Sequence, residues 1–248
     1  HLSLRVKVVD CTGYPVEGAQ GITEDDEPRM VKTLWLEDPI PFVQAAEIGT
    51  EKVICDHATI GVLVTTDGSV VDLPRESYVE AERKVVEKLT ALGKPFVIVL
   101  NAKDPYSKEV SDLATQMEGE YGVPVIPANA MELNQDDITL IMEQVLYEFP
   151  VKDMTVRIPR WVQTLSGSHW LRGEIDADIK DAVNSVKRIR DIDSCVMRLQ
   201  AGEHISAVKV DRVDMATGSA TLDLEVSDQA FLQVTSEKAG MTVNDKAD

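Results

Sequence analysis

The sequence predicts an α/β fold: a parallel sheet flanked by helices over residues 1–150, then a long helix and the start of a second α+β domain. Three observations carry this reading. Short apolar, β-branched runs recur across the first 150 residues and are separated by amphipathic stretches of helical length, the pattern of strands joined by crossover helices. Phe96-Val-Ile-Val-Leu100 is apolar throughout, as a strand covered on both faces must be. After Pro150 the pattern gives way to a long charged helical stretch and then to two-residue alternation.

In chain order, Leu4 to Val9 reads as a strand entering a core, and Ile60 to Val64 as a second, closed by the turn Thr65-Thr66-Asp67-Gly68. Glu76 to Leu92 has Val79, Val85, Val86, Leu89 and Leu92 at helical spacing, and Gly93 stops it. Phe96 to Leu100 is the next strand, Ser107 to Tyr121 a helix, Val123 to Ile126 a strand and Ile138 to Phe149 a helix. Met154 to Ile158 forms one more strand. Ser168 to Arg190 reads as one long helix, with Ile175, Ile179, Ala182, Val183, Val186 and Ile189 on a common face. From about residue 204 the pattern is β again, with Ala220-Thr-Leu-Asp-Leu-Glu-Val226 alternating cleanly after the turn Ala216-Thr-Gly-Ser219. The expected organisation is therefore a nucleotide-binding-type domain over 1–150, a strand and connecting helix over 151–200, and the beginning of a middle α+β domain over 201–248. Because His1 is not methionine and Leu2 to Asp10 already reads as strand interior, the start is expected to be a cut; because the stretch to Asp248 contains too little to close a domain, so is the end.

Composition narrows the function. The chain of 248 residues carries 43 acidic against 25 basic residues, a net charge of −18. Such a surface repels phosphate backbones and anionic lipid, so no direct nucleic-acid partner is expected and membrane contact would need an adaptor. The three cysteines, Cys11, Cys55 and Cys195, share no motif, which argues against a disulfide framework or a zinc site. The sequence reads as a reduced, cytosolic chain.

In parallel sheets, ligands bind beyond the carboxyl ends of the strands, which points to Asp10–Gly13, Thr65–Gly68 and Asn101–Pro105. Asp10-Cys-Thr-Gly13 is a D-x-x-G. In P-loop enzymes that aspartate holds magnesium through a water, and the glycine lets its N–H approach the terminal phosphate. Asn101-Ala-Lys-Asp104 sits where guanine-binding P-loop proteins carry N-K-x-D: the aspartate reads the base edge and the asparagine ties loops together. Ala102 stands in place of the lysine that covers the base. Pro127-Ala-Asn-Ala130 occupies the place of a short base-contacting loop, which makes Asn129 a candidate contact. Each motif alone also fits ordinary turn chemistry. Their order, each at a strand end and separated by helices, points to a truncated P-loop NTPase of the translation-factor-GTPase kind. No G-x-x-x-x-G-K-[ST] run occurs in the chain, so the phosphate cradle is expected upstream of His1. Tyr14 stands where many GTPases place a water-orienting glutamine. His57, His169 and Trp170 have no ligand-spaced partners and read as structural; Glu24 to Glu27 reads as a solvated acidic loop.

Several segments resemble the stage IV sporulation protein A family: Val9-Asp-Cys-Thr-Gly-Tyr-Pro-Val-Glu-Gly-Ala19, Pro39-Ile-Pro-Phe42 with Ala45-Ala-Glu-Ile-Gly-Thr50, His57 to Gly68, Leu146-Tyr-Glu-Phe-Pro150 and His169-Trp-Leu-Arg172. The resemblance implies an ATPase, with ATP and Mg2+ as cofactors, whose hydrolysis drives self-assembly into the basement layer of the spore coat. It implies a mother-cell location at the outer forespore membrane. The implied partners are other copies of the chain, further coat proteins and a small amphipathic forespore-membrane peptide. The family's D-x-x-G maps onto Asp10 and Gly13, and its degenerate base loop onto Asn101 to Asp104. Retention of Asp104 keeps a GTPase reading open, and a catalytically inactive assembly module is the further alternative for the chain as it stands.

Overall fold

A computed structural model describes residues 6–16, 18–25 and 27–243. The described chain divides into two compact units, one ending at Val145 and the other beginning at Leu146. No helix among the described residues is long and apolar enough to cross a membrane.

In the first unit, four two-residue strands form two small antiparallel pairs: β1 (Thr23–Glu24) with β2 (Glu27–Pro28), and β3 (Met30–Val31) with β4 (Ile40–Pro41). Helix α1 (Phe42–Lys52) follows and runs directly into a π-helical turn, Val53–His57. The Lys94 ammonium caps that turn by donating to the carbonyls of Ile54, Cys55 and Ala58. Strand β5 (Gly61–Thr66), helix α2 (Glu76–Ala91), strand β6 (Phe96–Asn101), helix α3 (Lys108–Tyr121), strand β7 (Val125–Ala128) and helix α4 (Gln135–Tyr147) complete the succession. The three strands lie parallel in the order β5-β6-β7. β6 is central, and its Phe96 to Leu100 are all buried, which is why that run is apolar without alternation. Phe96, Ile98 and Leu100 pack on Val86 and Leu89 of α2 and on Val110, Ala114 and Met117 of α3. Among the described residues β5 lies at the edge of this sheet, and its Val62 and Val64 are exposed.

The expected strand Leu4 to Val9 does not form where it is described. Val6 to Val9 have no regular structure, and Val6, Val8 and Val9 are exposed; Leu4 and Arg5 lie outside the described residues. A strand needs a neighbour to complete its ladder bonds, and none pairs with this segment among the described residues.

In the second unit, strand β8 (Asp153–Arg157) pairs parallel with β10 (Ser219–Val226), which pairs antiparallel with β9 (Ile205–Asp214). The strand expected near 154 and the β segment expected after 204 thus share one sheet. Its inner face, Ala220, Leu222 and Leu224, packs on Ala182, Ile192, Cys195 and Leu199. The latter four belong to helices α6 (Trp170–Asn184) and α7 (Asp191–Gln200), preceded by the short α5 (Arg160–Gln163). Burial pushes the Cys195 thiol pKa up, as expected of a cysteine that serves as core. Helix α8 (Asp228–Ala239) seats Ala230 and Val234 against Val162, Leu171 and Ile175.

The single helix expected over Ser168 to Arg190 is two helices with a break. After Asn184 the chain turns extended: Val151 N–H donates to the Lys187 carbonyl at 2.9 Å and Ile189 N–H to the Phe149 carbonyl at 3.0 Å. The Asp191 carboxylate then accepts the N–H groups of Lys187 and Arg188, each at 2.9 Å. Val186 and Ile189 keep apolar spacing because they reach the same core without being helical. The side chain of Glu148, fully buried, lies 2.5 Å from Arg188 and 3.0 Å from Arg190, which fixes this crossing. Burial raises the pKa of that carboxyl, and the two guanidinium groups oppose the rise.

Candidate functional site

The register pairs Thr66 with Asn101 and Asn101 with Ala128, so β5, β6 and β7 end at one edge and their following loops adjoin. Backbone bonds begin the connection: Asp67 N–H donates to the Asn101 carbonyl at 3.3 Å, and Ala102 N–H to the Ala128 carbonyl at 3.0 Å. Side chains complete it. Asn101 Oδ1 accepts the Ala130 N–H at 2.9 Å. Asn129 Nδ2 donates to the Lys103 carbonyl at 3.4 Å while its Oδ1 accepts the Met131 N–H at 3.1 Å. Asn101, Asp104 and Asn129 are therefore brought together, and the two asparagines act as ties between loops. Asp104 is exposed; its Oδ1 accepts the Tyr106 N–H at 3.3 Å, and its second oxygen has no hydrogen bond among the described residues. Ala102 is fully buried, so the lysine of guanine-binding loops has no room there with the loop in place.

A residue outside the expected ligand loops joins them. Ser69, one position beyond the Thr65–Gly68 turn, accepts the Lys103 N–H on its Oγ at 3.0 Å. Its local signal is an Asp-Gly-Ser that closes a strand, ordinary turn chemistry until the register sets it beside the Asn101–Asp104 loop. The turn is supported from behind by a buried network. Arg75 Nη2 lies 2.8 Å from Glu82 Oε1, and the Tyr121 hydroxyl donates to the same oxygen at 2.6 Å. Arg75 Nη1 also donates to Thr65 Oγ1 at 3.4 Å. Glu82 is a charge inside an apolar cluster, and Arg75 is what makes it tolerable there. Burial, then the bond to Glu82, holds the Tyr121 phenol pKa well above its ordinary value.

Asp10 and Gly13 are not brought to this group. They line a cavity of about 310 Å³ that runs along Ile60 to Val64 of the β5 edge and against Thr50, Val53 and Ile54, and stops short of Thr66. Asp10 is exposed and its Oδ1 accepts the Cys11 N–H at 2.9 Å. Gly13 has φ +81°, and no atom comes within 4 Å of where a Cβ would stand, so its glycine is required by conformation and leaves room for close approach. Tyr14 is half-buried in a cleft formed by Glu47 and Glu51 of α1 and Lys84 and Lys88 of α2. Burial, followed by the Glu51 charge, raises its pKa; here it packs between helices. No group of three or more metal-ligating side chains occurs among the described residues. The donor set at Asp10, one carboxylate, fits a magnesium held chiefly by phosphate oxygens and water.

Residues 1–150 match the family described as "Stage IV sporulation protein A, ATPase domain", and residues 151–248 the family described as "Stage IV sporulation protein A, middle domain". The chain is 39% identical over 245 residues to stage IV sporulation protein A of Bacillus anthracis, covering 99% of this chain and 50% of that protein. It is 41% identical over 242 residues to the Clostridioides difficile (strain 630) protein of that name, covering 98% and 49%. For the Bacillus subtilis (strain 168) protein the identity is 38% over 242 residues, with the same coverage of 98% and 49%. The chain thus spans about half the length of these relatives. No solved structure matches it. With a parallel sheet flanked by helices in its first unit and the two family matches together covering residues 1–248, this chain belongs to the stage IV sporulation protein A family.

Proposed function

We propose that this chain is part of a sporulation ATPase that binds ATP at the carboxyl edge of β5, β6 and β7 and couples hydrolysis to self-assembly of the spore coat basement layer. Family membership supports the ATPase and sporulation roles. The observation that carries the site is the set of three interlocked loops that present the exposed Asp104 carboxylate at the strand ends. Asp104 accepts hydrogen bonds from the base edge, with Asn101 and Asn129 fixing the loop that holds it. The D-x-x-G segment lies apart from these loops here; carried to this edge in the full-length protein, Asp10 would hold the magnesium and Gly13 would let its N–H approach the terminal phosphate. The bound magnesium neutralises charge that develops on the phosphates. The phosphate-cradling loop is proposed to lie in the half of the relatives that this chain does not span. Assembly places the protein in the mother cell, at the outer forespore membrane, together with further coat proteins and a small amphipathic membrane peptide.

Asp104 also favours a second reading, GTP as the substrate, because a carboxylate at this position suits guanine. Buried Ala102 argues the other way, since it removes the lysine that covers that base. Competition of GTP against ATP hydrolysis by the full-length protein separates the two: the ATP reading predicts that excess GTP inhibits weakly. It also predicts that Asp10→Asn abolishes turnover by the full-length protein and that residues 1–248 alone give none. ATP turnover that survives Asp10→Asn would overturn the site assignment.

A further inference from the structure

Gly68 adopts φ +90°, and a Cβ there would stand 2.9 Å from the Arg75 nitrogen, so the chain can double back at this point only with glycine. The reversal lays residue 69 beside the neighbouring loop. Asp67 Oδ1 accepts the Ser69 N–H at 2.8 Å and the Ser69 hydroxyl at 2.6 Å. A hydroxyl has one proton to give. With that proton directed to Asp67, the Ser69 oxygen faces Lys103 as an acceptor, and the Lys103 N–H donates to it at 3.0 Å. The outcome is a directional chain from the Lys103 N–H through the Ser69 hydroxyl to a carboxylate, and the charged end strengthens both bonds. Asn129 holds the Lys103 carbonyl from the next loop. Both backbone polar groups of the residue before Asp104 are thereby fixed.

We propose that Ser69, backed by Asp67, is a positioning residue for purine recognition. It sets the Lys103 backbone so that the Asp104 carboxylate meets the base edge, and it thereby governs how well one purine is told from another. The proposal rests on the nucleotide-binding reading above, and it assigns Ser69 no contact with phosphate.

The test uses the full-length protein with Ser69→Ala, Ser69→Thr and Asp67→Asn, probed with ATP, GTP and inorganic tripolyphosphate. Removing one partner of a charge-assisted bond costs about 1–2 kcal/mol, roughly a tenfold change. Ser69→Ala should raise KM for ATP about tenfold, with kcat within about twofold, and narrow the ATP-over-GTP preference. Asp67→Asn should shift both in the same direction. Inhibition by tripolyphosphate, which has no base, should be unchanged, and Ser69→Thr should restore wild-type behaviour. Hydrogen exchange without nucleotide should quicken at residues 101–104 in Ser69→Ala and in Asp67→Asn, and not in Ser69→Thr. A merely structural loss would lower kcat and weaken tripolyphosphate inhibition together, which overturns the proposal. Unchanged KM and base preference in Ser69→Ala overturns it too, and leaves the nucleotide reading intact. A wild-type protein that binds neither ATP nor GTP overturns that reading itself.

Discussion

At the carboxyl edge of β5, β6 and β7, three loops hold one another through side-chain to backbone bonds, with a buried Arg75–Glu82–Tyr121 network behind them. The segment with Asp10 and Gly13 instead has no regular structure, pairs with no strand among the described residues, and leaves Asp10 exposed with one carboxylate oxygen on its own neighbour Cys11. The contrast teaches what each region needs. The proposed base side is assembled from residues within one sheet and its loops. The proposed phosphate side has its signature residues but, among the described residues, no sheet neighbour to hold them at that edge.

The comparison is most strongly tested at Arg75. Arg75→Ala leaves the Glu82 carboxylate buried without its cation and should cost the first unit about 3–5 kcal/mol. Native-state hydrogen exchange of the β6 amides reads this directly; a loss under about 1 kcal/mol would mean that the network does not support the loops. Gly68→Ala comes next. A left-handed backbone costs a residue with a Cβ roughly 1–2 kcal/mol, and the close approach to the Arg75 nitrogen adds to it. We expect a loss of about 2–3 kcal/mol by the same measurement, with faster exchange at 101–104. The smallest stability effect belongs to Asp10→Asn, where an exposed side chain bonded only to the next residue should change stability by no more than about 0.5 kcal/mol. Paired with loss of ATP turnover in the full-length protein, that small change would mark Asp10 as functional. A large stability loss would show that the D-x-x-G turn is structural.

Much of this was legible in the sequence because the relevant signals were local. The all-apolar run at Phe96, the helical stretch from Ser107 to Tyr121 and the alternation over Ala220 to Val226 each gave their element within a residue or two. The asparagine and aspartate positions at 101, 104 and 129 were visible as turn residues after strands. Long-range events were not visible. Helix α1 hides behind Pro39 and Pro41, whose strand and turn preferences mask its periodicity. The break after Asn184 depends on backbone pairing with residues 149 and 151, some 35 positions earlier, and on the Asp191 carboxylate. Buried Glu82 looks in sequence like one more charge on a helix rich in them; only the fold puts Arg75 and Tyr121 beside it. Ser69 is an ordinary turn serine until β6 places Lys103 against it.

The most direct measurement is hydrogen exchange on the full-length protein with and without ATP and magnesium, followed over residues 67–69, 101–104 and 129–131. Binding at the proposed edge predicts that all three segments gain protection together, and that Asp104→Ala abolishes the gain. Protection that appears elsewhere while these loops exchange as in the nucleotide-free protein would contradict the assignment of this edge as the nucleotide site.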